Sequence, residues 1–426
     1  MVSIQILKLK FFQKNSFTVF IFLTLSVVFF IDNAHAGLGA GPAVHDRNII
    51  PLAKPQIRLS DNKALRNLNP VSGIFRIDDS GSRSTGFIKS TLGVNFNQPF
   101  KKGETISIRQ IHTNGGGSDY FEIGTRFPLE KDGSILAFRA GAIEYDAGQQ
   151  NASLDPTGNS DFIEANFITP IFKSNDLNLN IGLSAIRSSY IEKRASILKV
   201  DKIDNRADLT IYFDFYDQIF NQSGTIGKFV FSHGYMDLSN NADDVEQRIA
   251  GAAGSFSKVI AQFNRLEKIT EKNNLYIRFK SQYALDNLES AEEFSLGGLY
   301  NVRVYPNSEG GGADNADSGY VINFELEHNV NKNVKVFAFY DFGKIQIYKD
   351  TPAGSLTGTG SFKTYKNEYN LKDTGLGAEW EVLQGTKINM LWAHKLGINH
   401  GRRNDGTNFD RTNMNDMLRF GFTQQF

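Results

Sequence analysis

Between residues 83 and 426, apolar and polar positions alternate with a period of two. In the stretch LNLNIGLSA (177–185), Leu177, Leu179, Ile181, Leu183 and Ala185 share one face, while Asn178, Asn180, Gly182 and Ser184 share the other. Helical spacing would mix the two sets, so the pattern predicts a strand with one apolar and one polar face. LYIRFKSQY (275–283) and YVINFELE (320–327) repeat it and place Arg278, Lys280, Glu325 and Glu327 on the polar side. Sixteen such segments can be drawn, the first at 86–97 and the last at 416–426, with a weakly patterned one at 291–299.

Two architectures produce this alternation. A soluble sandwich turns its apolar faces inward, and a membrane barrel turns them toward lipid around a wet lumen. The connections favour the barrel. Short ones such as EKDG (130–133), KSND (173–176), NVNKN (329–333) and LQGT (383–386) alternate with long polar ones at 146–160, 236–254, 300–318, 349–371 and 398–415. Short turns at one end and long loops at the other are characteristic of outer-membrane barrels. The C-terminus agrees: LRFGFTQQF carries Leu418, Phe420, Phe422 and Phe426 on one face, interrupted only by Gln424. Soluble domains fray at their ends rather than stopping inside an apolar strand. Outer-membrane barrels commonly end this way, so Phe420, Phe422 and Phe426 are expected to form a signal read by the barrel-assembly machinery. The expected fold is all-β, a transmembrane antiparallel β-barrel of about sixteen strands over residues 81–426, seated in outer-membrane lipid.

The N-terminus supports an envelope location. Lys8, Lys10 and Lys14 precede the apolar run FTVFIFLTLSVVFFI (17–31), and the small-x-small AHA follows at 34–36. Residues 1–36 therefore read as a secretory signal peptide. Residues 37–80, with three prolines in GPAVHDRNIIPLAKP and turn signals in NLNPVSG and DDSGS, read as an extended periplasmic linker or a segment that plugs the lumen.

Composition removes other functions. The 46 basic and 46 acidic residues balance, so no one-sided excess marks a nucleic-acid footprint. Cysteine is absent, which excludes disulfides, thiolate metal sites and a cysteine nucleophile. None of the seven histidines has a ligand spacing; His394 and His400, six apart, read as lining or loop. GGGADNAD (310–317) lacks the order of a calcium loop, and no serine–histidine pair points to hydrolysis. No catalysis, metal or cofactor is expected.

One segment carries a sharper signal. Phe294, Ser295, Leu296, Gly297 and Gly298 are followed by Val302, Arg303, Val304 and Tyr305, and later by FAFYDFG with Phe339, Asp341 and Gly343. The two runs resemble those of two-partner secretion B-component transporters, the haemolysin secretion/activation family, over roughly residues 80–426. The resemblance implies a sixteen-stranded barrel that exports a secreted protein client. It also implies a long loop, here around 300–318, that folds into the lumen and pairs Arg303 with Asp341. Periodicity agrees, since Lys335, Phe337, Phe339 and Asp341 share the face opposite Val334, Val336, Ala338 and Tyr340. Val304 departs from the family's glycine. Residues 37–80 are also too short for the POTRA modules that capture the client in this family, so a separate POTRA-bearing chain could supply them. Two rivals stay open: a diffusion porin that has lost protein export, and a secreted soluble β-sandwich.

Overall fold

The computed structural model describes residues 69–426, apart from 130–132, 147–156, 195–196, 218–222, 239–250, 308, 310–315, 352–365, 404 and 409. The expected signal peptide and most of the expected linker segment lie outside the described residues, as do much of EKDG, most of GGGADNAD and parts of the long connections.

The strands are β1 (Val71–Asp78), β2 (Lys89–Asn97), β3 (Thr105–Thr113), β4 (Ser118–Pro128), β5 (Ile135–Asp146), β6 (Thr157–Lys173), β7 (Leu177–Arg194) and β8 (Ile197–Asp217). They continue as β9 (Ser223–Asp237), β10 (Gly254–Lys268), β11 (Asn273–Ala284), β12 (Ser318–Asn329), β13 (Val334–Gln346), β14 (Glu368–Leu383), β15 (Thr386–Lys395) and β16 (Asp416–Gln425). Every strand pairs antiparallel with its sequence neighbours, and β16 returns to β1 to close the barrel. Closure leaves no exposed sheet edge, the condition for crossing hydrocarbon with strands.

Burial separates the sandwich from the barrel. The apolar face of each strand is the exposed one: Leu183 is 58 % and Leu376 59 % accessible, while Asn178 and Ser184 on the polar face are buried. A soluble core would reverse this distribution. The chain is a lipid-facing barrel with a polar interior.

Two strand assignments change. The segment Val71–Asp78 forms β1, although Pro70, Gly73 and the following DDSGS read as turn signals. It pairs with β2 along its whole length and with β16 from Ile74 to Asp78. Gly73 exchanges backbone hydrogen bonds with the terminal Phe426, whose ring occupies the space a Cβ at Gly73 would need. In contrast, 291–299 is not a strand. It holds part of a 3-10 turn (Ser290–Glu292) and then enters the lumen, so both of its faces are buried. The total of sixteen is unchanged, but the direction of every strand between these two is reversed. With β1 included, short connections such as 174–176, 330–333 and 384–385 lie at the end where the chain enters and leaves. We refer to this as the turn end and to the other as the loop end.

Inside the barrel, polar residues line most of the wall, and two apolar clusters interrupt them. One, toward the loop end of β4–β10, contains Tyr120, Tyr145, Phe162, Tyr190, Met236 and Phe256, with Leu288 and Ala291 of the β11–β12 loop packed on it. The other joins Phe294, Leu296, Val302, Val304 and Tyr305 of the same loop to Phe339 and Leu371 of β13 and β14. Residues 288–307 of the β11–β12 loop (285–317) therefore lie within the lumen.

Candidate functional site

The inward loop is a compact hairpin before it meets the wall. Phe294 and Ala316 exchange backbone hydrogen bonds (2.6 and 2.9 Å), and the amides of Leu296 and Gly297 both donate to the Glu309 carbonyl (3.0 and 2.8 Å). Gly297 bridges to Val302, and Gly298 donates to the Tyr305 carbonyl (3.1 Å). Gly298 sits at φ +109, the left-handed region where a side chain is strained. These contacts turn the chain so that Arg303 points at β13.

On β13 three alternate residues face inward, and each has a physical task. Asp341 receives the guanidinium: Arg303 Nη2 donates to Oδ1 at 3.0 Å, and Nε lies 3.0 Å from Oδ2 as an ion pair too bent for a hydrogen bond. Phe339 lies beneath it, with the guanidinium carbon 4.0 Å from the ring centroid, a cation–π distance. Gly343 leaves room for Leu296, whose Cδ2 would be 2.6 Å from a Cβ there. The F-x-D-x-G spacing thus encodes a stacking plate, a counter-charge and a socket on one face of one strand.

Further groups complete the enclosure. Arg303 Nη2 reaches Glu325 Oε1 on β12 at 2.7 Å. Asn323 donates to Asp341 Oδ1 and to the Asn301 carbonyl, both at 2.7 Å. The Val304 amide donates to Asp373 Oδ2 on β14 at 2.6 Å. Arg419 on β16 donates to the carbonyls of Arg303 (3.0 Å), Tyr305 (3.2 Å) and Asp79 (3.1 Å). Arg303 is 2 % accessible, and Asp341 and Asp373 are fully buried. At such depth an arginine fork held by carboxylates is specific in geometry, and a lysine would not reproduce it. Val304 is absent from the described residues with left-handed φ, so this backbone does not require the family's glycine.

The structure brings Gly297, Gly298, Val302, Arg303 and Tyr305 together with Phe339, Asp341 and Gly343. It places Phe420, Phe422 and Phe426 elsewhere, on the lipid-facing side of β16, where Phe426 is 54 % accessible. Arg419 and Glu325 line the lumen as the alternation predicts. Asp373 and Asn323 were not singled out from sequence, although the same alternation on β14 and β12 points both inward.

The loop's root carries a titrating group. Asp317 accepts from the amides of Leu288 (2.9 Å) and Lys349 (2.7 Å), tying the loop's start to the β13–β14 connection. Burial pushes its carboxyl up to about 7; Asp350 acts in the same direction, and the two amides and Lys258 oppose it. Because this lies above the ordinary 3.8, the stability it contributes is complete below about pH 4 and lost as pH rises through about 7. Limited proteolysis of the reconstituted barrel should therefore cut the loop faster at about pH 8 than at about pH 5. Asp317→Asn should abolish that difference, and a pH dependence unchanged in the variant would assign it to another group.

Comparison with known proteins places this geometry. A family model described as haemolysin secretion/activation protein ShlB/FhaC/HecB matches residues 63–361, a span that includes the loop and the β13 motif. Among solved structures, CdiB from Escherichia coli is similar with a TM-score of 0.67 at 14 % identity, over 84 % of this chain and 63 % of that one. CdiB from Acinetobacter baumannii gives 0.62 at 14 %, over 84 % and 60 %. BamA from Haemophilus ducreyi lacking POTRA domains 1-3 gives 0.58 at 11 %, over 84 % and 71 %. At these identities the likeness is one of fold, and the chain spans about three fifths of the length of either CdiB. No curated protein matches.

Proposed function

As the chain belongs to the haemolysin secretion/activation family, we propose that this outer-membrane barrel is the pore through which an unfolded partner polypeptide is exported, with loop 285–317 as its lid. The observation that carries the reading is the buried fork of Arg303 on Asp341, which holds a connection from the loop end deep inside the lumen. An external loop has no reason to bury its charges in a wall unless its position there matters to passage.

The lumen suits an extended chain of mixed composition. Its wall carries Glu122, Arg126, Arg139 and Arg278 as well as Asn166 and Asn180, so it offers both signs of charge and hydrogen-bonding groups. Export through it is a cycle in which the lid leaves the lumen for the client and then reseats, so a lid that cannot reseat does not support export. Gly297, Gly298, Val302 and Tyr305 shape the lid, Arg303 and Asp341 fasten it, and Phe339 and Gly343 seat it. Phe420, Phe422 and Phe426 serve assembly by presenting the last strand to the assembly machinery. Capture of the client in the periplasm falls to POTRA modules, on another chain or in sequence beyond this one.

Deleting the gene and comparing the extracellular proteome with that of the parent strain tests the reading. One large secreted protein should vanish and return on complementation. An unchanged secretome together with reduced uptake of small solutes would make the barrel a diffusion pore.

A further inference from the structure

Loop 285–317 meets the wall a second time, far from Arg303. Glu289 caps the 3-10 turn, its side chain accepting from the Ala291 amide (2.8 Å), and Glu292 ends that turn. They face cations on β8 and β10. Arg206 Nη1 donates to both Glu292 oxygens (2.6 and 2.7 Å). Lys258 Nζ lies 2.6 Å from Glu292 Oε2 and donates to the Glu292 carbonyl (2.7 Å). Lys202 binds Glu289 and lies 3.3 Å from Ser290 Oγ. Glu292 is fully buried, and beside it Leu288 and Ala291 pack on the apolar cluster of β4–β10. Burial alone would push the Glu292 carboxyl up, but Arg206 and Lys258 outweigh it and hold it below the ordinary range.

Topology gives this contact its meaning. In a ring of sixteen strands, β8 and β16 lie eight apart, on opposite walls. The stem is bound to β8 and β10, while the tip is bound to β12, β13 and β14 and, through Arg419, to β16. The loop therefore crosses the lumen.

We propose that Glu292, gripped by Arg206 and Lys258, is a positioning residue that pins the stem of the lid independently of the Arg303 fastening, so that the tip swings about a stem that stays seated. The wall supports a division of this kind. Arg206 Nε also lies 3.0 Å from Asp208 Oδ1, so the cation keeps a counter-charge on its own strand when the loop's carboxylate is lost. The stem can come away without stranding that arginine. The inference builds on the lid reading but concerns only how the loop is held.

The chain has no cysteine, so single thiols report on each limb without background. Ala291→Cys marks the stem and Val304→Cys the tip, both at buried positions. Full-length protein in outer-membrane vesicles is treated with a maleimide, and heat-modifiable migration on gels confirms an intact barrel. In Arg303→Ala, labelling at 304 should rise about tenfold or more while labelling at 291 stays at the parental rate. In Glu292→Gln, labelling at 291 should rise while 304 stays closed. Arg206→Lys, which keeps the charge but has one nitrogen to serve both Glu292 and Asp208, should open 291 partway, and it replaces Glu292→Gln if that variant does not assemble. Both positions opening together in either variant, or 291 staying closed when the Glu292 contacts are broken, would overturn the proposal. Because labelling reads the loop directly, an absent client leaves this result unchanged and counts only against the export reading.

Discussion

Replacing Arg303 with alanine should stop export while the barrel still reaches the outer membrane. The barrel is held by sixteen antiparallel pairings that do not involve the side chain of Arg303, so assembly has no need of it. The seated lid does. Truncation takes the guanidinium from Asp341, a buried carboxylate that also accepts from Asn323 and, at 3.4 Å, from the residue-303 amide, and it leaves Glu325 facing Arg278 (3.5 Å) as its other cation. Breaking a buried pair from one side costs about 3–5 kcal/mol, far more than the pair itself contributes. With the lid at one of its two fastenings weakened by that amount, the seated tip becomes a minor state. Arg303→Lys should fail nearly as fully, since an ammonium cannot span Nη2 and Nε positions together or lie flat on Phe339. The measurement pairs client secretion with heat-modifiable migration. Normal export by the alanine variant would remove the role given to the ion pair.

Gly297→Ala should have an effect of comparable size by a different route. A Cβ at 297 would fall on the Pro306 carbonyl oxygen and come within 2.8 Å of the Glu309 Cβ. Both neighbours belong to the hairpin itself, and the first is backbone, so no side-chain rotation relieves the clash. The 297–302 bridge would have to open, carrying Arg303 out of register with Asp341. Overpacking of this kind costs about 1–3 kcal/mol, enough to lower the ratio of seated to unseated lid by about five- to a hundred-and-fifty-fold. Export assays in the variant should fall toward the Arg303→Ala level with the barrel intact, and labelling of Val304→Cys should rise. An alanine variant that exports normally would mean that the hairpin's inner geometry is not required.

The strands were legible because each has two unlike surroundings. Leu183 and Ser184 are neighbours in sequence, and one meets lipid while the other meets the lumen, which is why period two persists over more than three hundred residues. That signal fails where a segment has only one kind of surrounding. Residues 291–299 keep some alternation but are buried on both sides, so they resemble a strand without pairing as one. β1 fails in the other way: Gly73 is needed to admit the ring of Phe426, and a glycine three residues after Pro70 reads as part of a turn. At the site, Arg303 and Asp341 could be matched because each lies in a distinctive local run. The Glu292 fastening could not. Arg206 stands 86 residues from Glu292, and before folding nothing distinguishes it from any other inward cation on the wall.

A loop seated on opposite walls is also a strut. A hoop of hydrogen-bonded strands can flatten toward an ellipse while every pair keeps its register, so the strands alone set the circumference of the opening and not its width. Between β8 and β16 the crossing chain sets that width at its own depth in the barrel. At the turn end the connections are short, and among the described residues nothing crosses between them. Releasing either foot of the strut would do more than clear a path: it would return to the whole cross-section a freedom of shape that the seated loop withholds.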